Sequence, residues 1–324
     1  MSSAAERATW PDTVDEILGA DQAVALAHVT PAAGVVLTPV TNFGMYDREA
    51  RTVAINSSVG MWKKLRRMRR NPHVAVAFHT RDHAFTDRPE YVLVQGTASF
   101  PWPPERDAWL EEMGERWERF GGQSRKVGPL WEGWMSAYHW RVNVQIAVER
   151  LVVWPDLACR GTPDVHGTPL PTELPEPQSP PARGTDPRIG HRRAAARARR
   201  LPHVLLGWVA ADGFPMIVPV EVGEVTESAI VLEPPPGLVP PGGRRAALLT
   251  HSFARGTWGQ NQRKHTGWLE VGYGGGRVSY APHTKSGYHL PTSLLLYRLA
   301  SGFVTRRGMR EGMRAGVYDG PDGL

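Results

Sequence analysis

The stretch Ile55-Asn-Ser-Ser-Val-Gly-Met-Trp-Lys-Lys-Leu-Arg-Arg-Met-Arg-Arg-Asn-Pro-His-Val-Ala-Val-Ala-Phe78 decides how the first half of the chain reads. It begins as the end of a strand and passes through a turn of small residues, Ser57, Ser58 and Gly60. A basic helix follows, with Lys63 and Lys64 in its first turn. Arg70-Asn71-Pro72 ends that helix, because a residue before proline is pushed out of the α region. Val74, Val76 and Phe78 then alternate with smaller residues, as in a half-buried strand.

Free backbone N–H groups at a helix start, two hydroxyls and two lysines make a seat for a phosphate. The positive end of the helix dipole adds to the attraction. A solvated basic helix that binds nothing, or one that meets a polyanion, fits the same residues.

The rest of the chain sets the frame. A length of 324 residues predicts two domains, and 41% hydrophobic residues suffice for globular cores. The net charge of +6 permits anionic partners without naming one. With Cys159 as the single cysteine, neither an intrachain disulfide nor a cysteine metal cluster can form. Met1 to Thr9 is polar, and no run reaches the roughly 18 apolar residues of a membrane span. The expectation is a cytoplasmic protein with no membrane partner.

In the first half, strands are predicted at 23–29, 35–41, 52–56, 73–80, 91–100 and within 137–154. Strand 23–29 carries a small-residue face, and Pro39 marks 35–41 as an edge or bulge. Helices are predicted at 13–18 and 105–120, the second with Trp109, Met113, Trp117 and Phe120 at helical spacing for core packing. Short strands joined by turns favour a small barrel.

At this point the chain resembles a known family. Strand, turn, strand, Ser-Ser, Lys-Lys, basic helix, Asn-Pro, strand, and then a strand with Gln95-Gly96 is similar to the flavin-binding split barrel. That is the superfamily of pyridoxamine 5'-phosphate oxidase and its deazaflavin-using relatives. The likeness covers roughly residues 20–155. It implies that Lys64, seven residues before Asn71-Pro72, holds the cofactor phosphate, with Lys63 in place of a frequent arginine. It places Ser57 and Ser58 around the ribityl-phosphate, the backbone of Pro39, Val40, Thr41 and Asn42 along the ring, and Gln95 near ring or tail. The implied cofactor is FMN, or alternatively the deazaflavin coenzyme F420.

Residues 156–200 form a Pro-rich connector, with Pro169 to Pro181 extended, followed by a basic helix from Arg188 to Arg200. That helix reads as a nucleic-acid or membrane-surface patch, or as a solvated helix packed through its alanines. The second reading is favoured, because no aromatic interleaving accompanies it.

The second half, 201–324, repeats the first in order and spacing. Pro215-Met-Ile-Val-Pro-Val220 matches Val35-Val-Leu-Thr-Pro-Val40. Ala246 to His251 matches Val74 to His79, and His265-Thr-Gly267 matches Val94-Gln-Gly96. Where the basic helix sat, Glu233 to Gly243 is rich in proline and glycine, so the phosphate seat is expected to be missing. The expected fold is mainly β with helices: two tandem split β-barrels, 1–155 and 201–324, the second diverged.

Split-barrel relatives dimerise around the cofactor, so a tandem chain implies that pseudo-dimer in one polypeptide, itself a monomer or homodimer. One cofactor is expected per chain, covered by the loop bearing Trp258, Gln260, Asn261, Arg263, Lys264 and His265. Thr257 to Lys264 as a plain exposed connection remains the alternative. Gly274-Gly-Gly276 lacks the strand–helix context of a dinucleotide site. The tail from Gly302, with Arg306, Arg307, Arg310 and Arg314, reads as a basic helix ending before Gly316.

No Ser-His-Asp order or metal-ligand cluster is present. His79 and His83 as a metal pair is the weaker reading against a hydrogen-bonded structural His79, and no metal is expected. If the chemistry needs a proton donor, Tyr138, His139 and His265 are the candidates. The resemblance implies hydride transfer by a flavin or deazaflavin to or from a small organic substrate. The alternatives are a non-catalytic flavin or haem carrier of the same fold and, less favoured, a nucleic-acid-associated protein.

Overall fold

The computed structural model describes residues 8–102, 106–121, 133–257 and 259–317. It is built on two antiparallel sheets. The first holds β1 (Ala23–Val29), β2 (Val35–Thr41), β3 (Tyr46–Asp47), β4 (Thr52–Ser58), β5 (His73–Phe78), β6 (Tyr91–Ser99), β7 (Arg141–Trp154) and β8 (Asp164–Gly167). Their order is β3-β4-β2-β1-β5-β6-β7-β8, and β4 also pairs with β7, so six strands close into a barrel. The second holds β9 (His203–Val209), β10 (Pro215–Pro219), β11 (Glu221–Val225), β12 (Ile230–Glu233), β13 (Gly242–Ser252), β14 (Asn261–Val271) and β15 (Val278–Ser286). Its order, β10-β9-β13-β14-β15-β12-β11, repeats the first but leaves β10 unpaired with β12.

The registers repeat as well. Pro39 stands opposite Ala25, and Pro219 opposite Leu205. Both proline positions lie where the following strand has not begun to pair, because β2 meets β4 only at Thr41↔Asn56. The β6–β7 ladder slips between Gln95 and Gly96, and the β14–β15 ladder slips between Thr266 and Gly267. A Cβ at Gly96 would lie 2.0 Å from the Ala147 carbonyl oxygen, and one at Gly267 would lie 2.1 Å from that of Ala281. Both bulges therefore require glycine.

The alternation inside β1 explains its small-residue face. Val24 and Leu26 point into the first barrel with Ile55, Val76 and Val144. Ala25 and Ala27, with Ala75 and Ala77 of β5, point outward into a second core that also holds Leu206, Ile217 and Leu249. Two sheets approach closely only over small side chains, so these alanines mark the face on which the second barrel packs. At the seam Tyr91 donates to the Ile217 carbonyl at 2.7 Å, and His79 Nε2 lies 2.7 Å from His251 Nε2. His79 is thus a hydrogen-bonded partner of the other barrel, while His83 packs edge-on to Phe253. Among the described residues no group of three or more metal-ligating side chains comes together.

The connector departs from the expected boundary. Residues 164–167 form β8 and pair with β7, so the first sheet extends past residue 155. Beyond it the chain lies along the second barrel. Gln178 N donates to the Gly243 carbonyl, Arg245 N donates to Gln178 Oε1, and Arg244 donates to the Pro175 carbonyl. Arg244 is therefore buried against the connector. The helices before the connector are α1 (Asp12–Leu18), α2 (Trp62–Arg70), α3 (Arg106–Glu112) and α4 (Gly114–Gly121), where the sequence predicts one helix over 105–120. After it, α5 (His191–Ala198) buries Ala194, Ala195 and Ala198 and packs against β11 and β12.

The last helix, α6 (Leu294–Arg314), starts eight residues before the predicted Gly302. It crosses the turn at 59–61 of the first barrel. A Cβ at Gly308 would lie 2.3 Å from the Gly60 carbonyl oxygen, and one at Gly60 would lie 2.9 Å from that of Thr305. The two backbones touch, which only glycine at both places allows.

Candidate functional site

The quoted stretch folds as read. β4 ends at Ser58, whose Oγ accepts from Gly60 N at 3.1 Å and caps a 3-10 turn at Val59–Met61. α2 starts at Trp62, so Lys64 falls in its first turn and is buried along with Leu65 and Met68. Facing it across the seam is Lys264 of β14, partly buried. Among the described residues neither lysine has an acidic partner. Burial, then repulsion from Lys264 and Arg141, lowers Lys64 to about 7. Burial, then repulsion from Arg67, lowers Lys264 to about 8. His28 of β1 is fully enclosed beside them, and both of its ring nitrogens lack a hydrogen-bond partner. Burial and the neighbouring cations hold it well below the usual histidine value. Such a cluster is costly as it stands and is relieved by an anion.

The lysines stand where two voids meet. One is a cavity of about 110 Å³ walled by Pro39, Val40, Thr41, Asn56, Ser57 and Ser58 of the first barrel, by Gln260, Gln262 and Tyr288 of the second, and by Tyr297, Ser301 and Thr305 of α6. The other is a groove of about 1070 Å³ that shares Thr38, Lys64 and Lys264 and adds Lys63, Arg67, Arg188, Arg245 and Arg307.

At the far end of the cavity, Asn56 and Trp109 both donate to Asn143 Oδ1, at 2.9 and 3.1 Å. Asn56 in turn accepts from Arg141 Nε, which places the guanidinium 4.8 Å from the Tyr138 ring. The Tyr138 and Tyr297 hydroxyls lie 3.4 Å apart, and Tyr288 donates to Gln260 at 2.9 Å. Burial raises Tyr288 to about 12 and Tyr297 well above the ordinary tyrosine value, so both stay neutral donors near pH 7.

Of the residues the sequence singles out, Pro39, Val40, Thr41, Ser57, Ser58, Lys64 and Lys264 line this cavity together. Three do not meet it as expected. Lys63 lies on the surface with its ammonium 5.3 Å from the Trp62 ring and lines only the groove, because the helix turns it about 100° from Lys64. Asn42, expected there through its backbone, does not line the cavity, and its side-chain amide N–H groups donate to the Met45 and Ala54 carbonyls at 3.1 and 2.6 Å. Gln95 is buried elsewhere on the barrel interface, donating to the Pro215 carbonyl and accepting from Arg150. Trp258 lies outside the described residues.

Among the donor candidates only Tyr138 reaches the cavity. His265 points away from it because β14 alternates and Lys264 takes the inward place. Arg141, Tyr288, Tyr297 and Thr305 were missed. Arg141 opens a strand whose main sequence signal is its apolar face, and α6 comes from residues remote in sequence. The small residues Ser301, Gly302, Thr305 and Gly308 in an otherwise arginine-rich tail were the signal for close packing.

With the geometry in place, comparison with known proteins adds the following. No family model matches the chain, and no curated protein matches it. Solved structures match about half of it. One is the conserved hypothetical protein Rv2991 from Mycobacterium tuberculosis, at 20% identity over 51% of this chain and 95% of that one, TM-score 0.35. Another is an F420 reductase, at 16% identity over 44% and 98%, TM-score 0.32. A third is a pyridoxamine 5'-phosphate oxidase-related, FMN-binding protein from Nostoc punctiforme, at 12% identity over 44% and 77%, TM-score 0.29. The chain is similar to these proteins at such low identity over roughly one barrel.

Two depressed lysine pKa values give a pH prediction. In the ligand-free protein Lys64 loses its proton near pH 7, whereas a bound phosphate keeps it protonated. Binding of a phosphate there would take up one proton above about pH 7 and a second above about pH 8, so its affinity is expected to fall by up to about tenfold per pH unit from pH 7 and more steeply beyond pH 8. Calorimetric titrations at successive pH values measure the slope. A flat profile above pH 7 would show that neither lysine meets the phosphate.

Proposed function

We propose that the chain is an oxidoreductase that binds one phosphate-bearing flavin-type cofactor between its two barrels and transfers a hydride to or from a small organic substrate. The observation that carries this reading is the pair Lys64 and Lys264: two converging lysines, one from each barrel, with no counter-charge, at a capped helix start that opens into a cavity. The residues fit the cofactor. Lys64, Lys264 and the Ser58 hydroxyl would hold the phosphate, the Pro39–Thr41 strand would line the ring, and Tyr288 and Tyr297 would offer neutral phenols at the far end. A flavin-type ring bound there supplies the hydride chemistry. The chain's own share is to neutralise the phosphate, orient the ring and shut out water beneath α6.

Between the two cofactors a second observation bears. The groove beyond the lysines carries Arg67, Arg188, Arg245 and Arg307 against Glu311 alone of the acidic residues. FMN ends at its phosphate, and such a run of cations suits a cofactor whose anionic tail continues past it, as in the deazaflavin coenzyme.

The absorbance spectrum of the purified protein, with mass spectrometry of what acid releases, tests the cofactor. A screen of nicotinamide donors then tests turnover. A bound flavin or deazaflavin that no donor reduces would leave a carrier, and a Soret band would point to haem. Titration is expected to saturate at one cofactor per chain. The place where Gln95 meets the second barrel is filled by Arg150, which is buried, bonded to Gln95 and ion-paired to Asp212 at 2.7 Å. Two cofactors per chain would contradict this assignment.

A further inference from the structure

The outward side of α6 is unlike the rest of the surface. Leu295, Leu296, Leu299 and Phe303 are exposed at 54, 51, 42 and 61%. Residues 295, 299 and 303 follow each other four apart, so they form one stripe, and Leu296 widens it. Arg307, Arg310 and Arg314 continue the same exposed face toward the C-terminal end. Glu311, paired to Arg307 at 3.0 Å, is the only carboxylate on the helix. The neighbouring helix α2, in contact with α6, exposes Lys63, Arg66, Arg69 and Arg70 and no acidic residue. The result is a patch of aliphatic and aromatic side chains beside seven exposed cations.

We infer that this face docks on an anionic lipid bilayer, with the apolar stripe at the acyl boundary and the two basic helices among the headgroups. Grouped large apolar side chains with this much exposure mark a contact surface. The charge says what kind. A second copy of the same face would bring seven cations against seven, so self-association is disfavoured. Nucleic acid would satisfy the cations but leaves three leucines without partners, since bases stack on aromatic rings and guanidinium groups. An anionic bilayer satisfies both halves at once. No described helix is long and apolar enough to span a membrane, and lying on one asks for no span. The expectation of no membrane partner rested on spanning segments alone. Phe303, Arg307 and Lys63 also edge the cationic groove, and the vesicle test below reads lipid binding with no cofactor added.

The test is co-sedimentation of the full chain with vesicles of phosphatidylcholine alone or with about one-third phosphatidylglycerol. Binding is expected to the mixed vesicles and to be weaker by more than about tenfold on phosphatidylcholine. The double variant Leu299→Glu/Phe303→Glu changes only exposed side chains and is expected to abolish it. Arg310→Glu/Arg314→Glu should weaken it by more than about tenfold. Circular dichroism of each variant checks that the fold is kept. Failure to sediment with the mixed vesicles overturns the inference. So does undiminished binding by the leucine–phenylalanine variant, since the stripe would then play no part. Binding of single-stranded RNA that survives that variant, with no vesicle binding, would assign the cations to nucleic acid. A dimer that the variant converts to monomer, again without vesicle binding, would assign the stripe to a second copy.

Discussion

Lys64→Met is expected to weaken FMN binding by at least about thirtyfold, or about 2 kcal/mol, while leaving the empty protein as stable as before or more stable. The two effects have opposite signs for one reason. Without ligand, the ammonium is buried without a carboxylate and faces Lys264 and Arg141, so its charge costs free energy. Methionine keeps an apolar stem of similar length and removes the charge. In the proposed complex the same ammonium would meet the phosphate in a water-poor site, and its loss would leave that anion short of a partner. Lys264→Met should behave the same way, because its lysine reaches the junction from the other barrel. Lys63→Met is the control: its ammonium is on the surface, and its loss should change affinity by less than about threefold. Fluorescence quenching of FMN gives the affinities, and urea denaturation gives the stabilities. Unchanged FMN affinity in Lys64→Met would remove the phosphate assignment.

Gly96→Ala is expected to cost about 4 kcal/mol or more, among the largest effects a single methyl group produces. The new Cβ would sit 2.0 Å from the Ala147 carbonyl oxygen and 2.9 Å from its carbon. Those atoms are backbone in a paired strand, so no side chain can swing aside. Relief needs β6 and β7 to separate where Gln95 and Arg150 join the two barrels. Ala98→Gly, two residues on in the same strand, is the comparison and should cost about 1 kcal/mol. The denaturation midpoints of the two variants decide it. A Gly96→Ala protein as stable as Ala98→Gly would show that the bulge does not require glycine.

Much of the fold was legible because β structure writes its faces into the sequence at a period of two. The strands of the first barrel, the proline near each β2-type strand end and the two bulge glycines can all be read off the chain, and the registers agree. So can the core of the site: Ser57, Ser58 and Lys64 lie within eight residues, on a strand end and helix start whose geometry is local. Lys264, expected in a covering loop, stands instead in β14 and reaches the cavity through strand alternation.

What stayed hidden depends on contacts between distant residues. Gln95 carries polar groups suited to a ring or tail, yet the second barrel and Arg150 claim its hydrogen bonds. Polar side chains are assigned by whatever donors and acceptors the fold brings near, and spacing does not record that. The same holds for Arg141, Tyr288 and Tyr297, which meet Tyr138 only when β7, the segment after β15 and α6 close on one cavity. The sequence by itself determined the strand pattern, the repeat and the local cationic seat, since these follow from periodicity, turn chemistry and a helix start. Only the tertiary structure decided that the seat is shared between the barrels, that α6 covers it through the touching backbones of Gly60 and Gly308, and that the leucine side of α6 is left outward. Those outcomes turn on which surfaces are buried against each other, a sum over the whole chain that no local stretch contains.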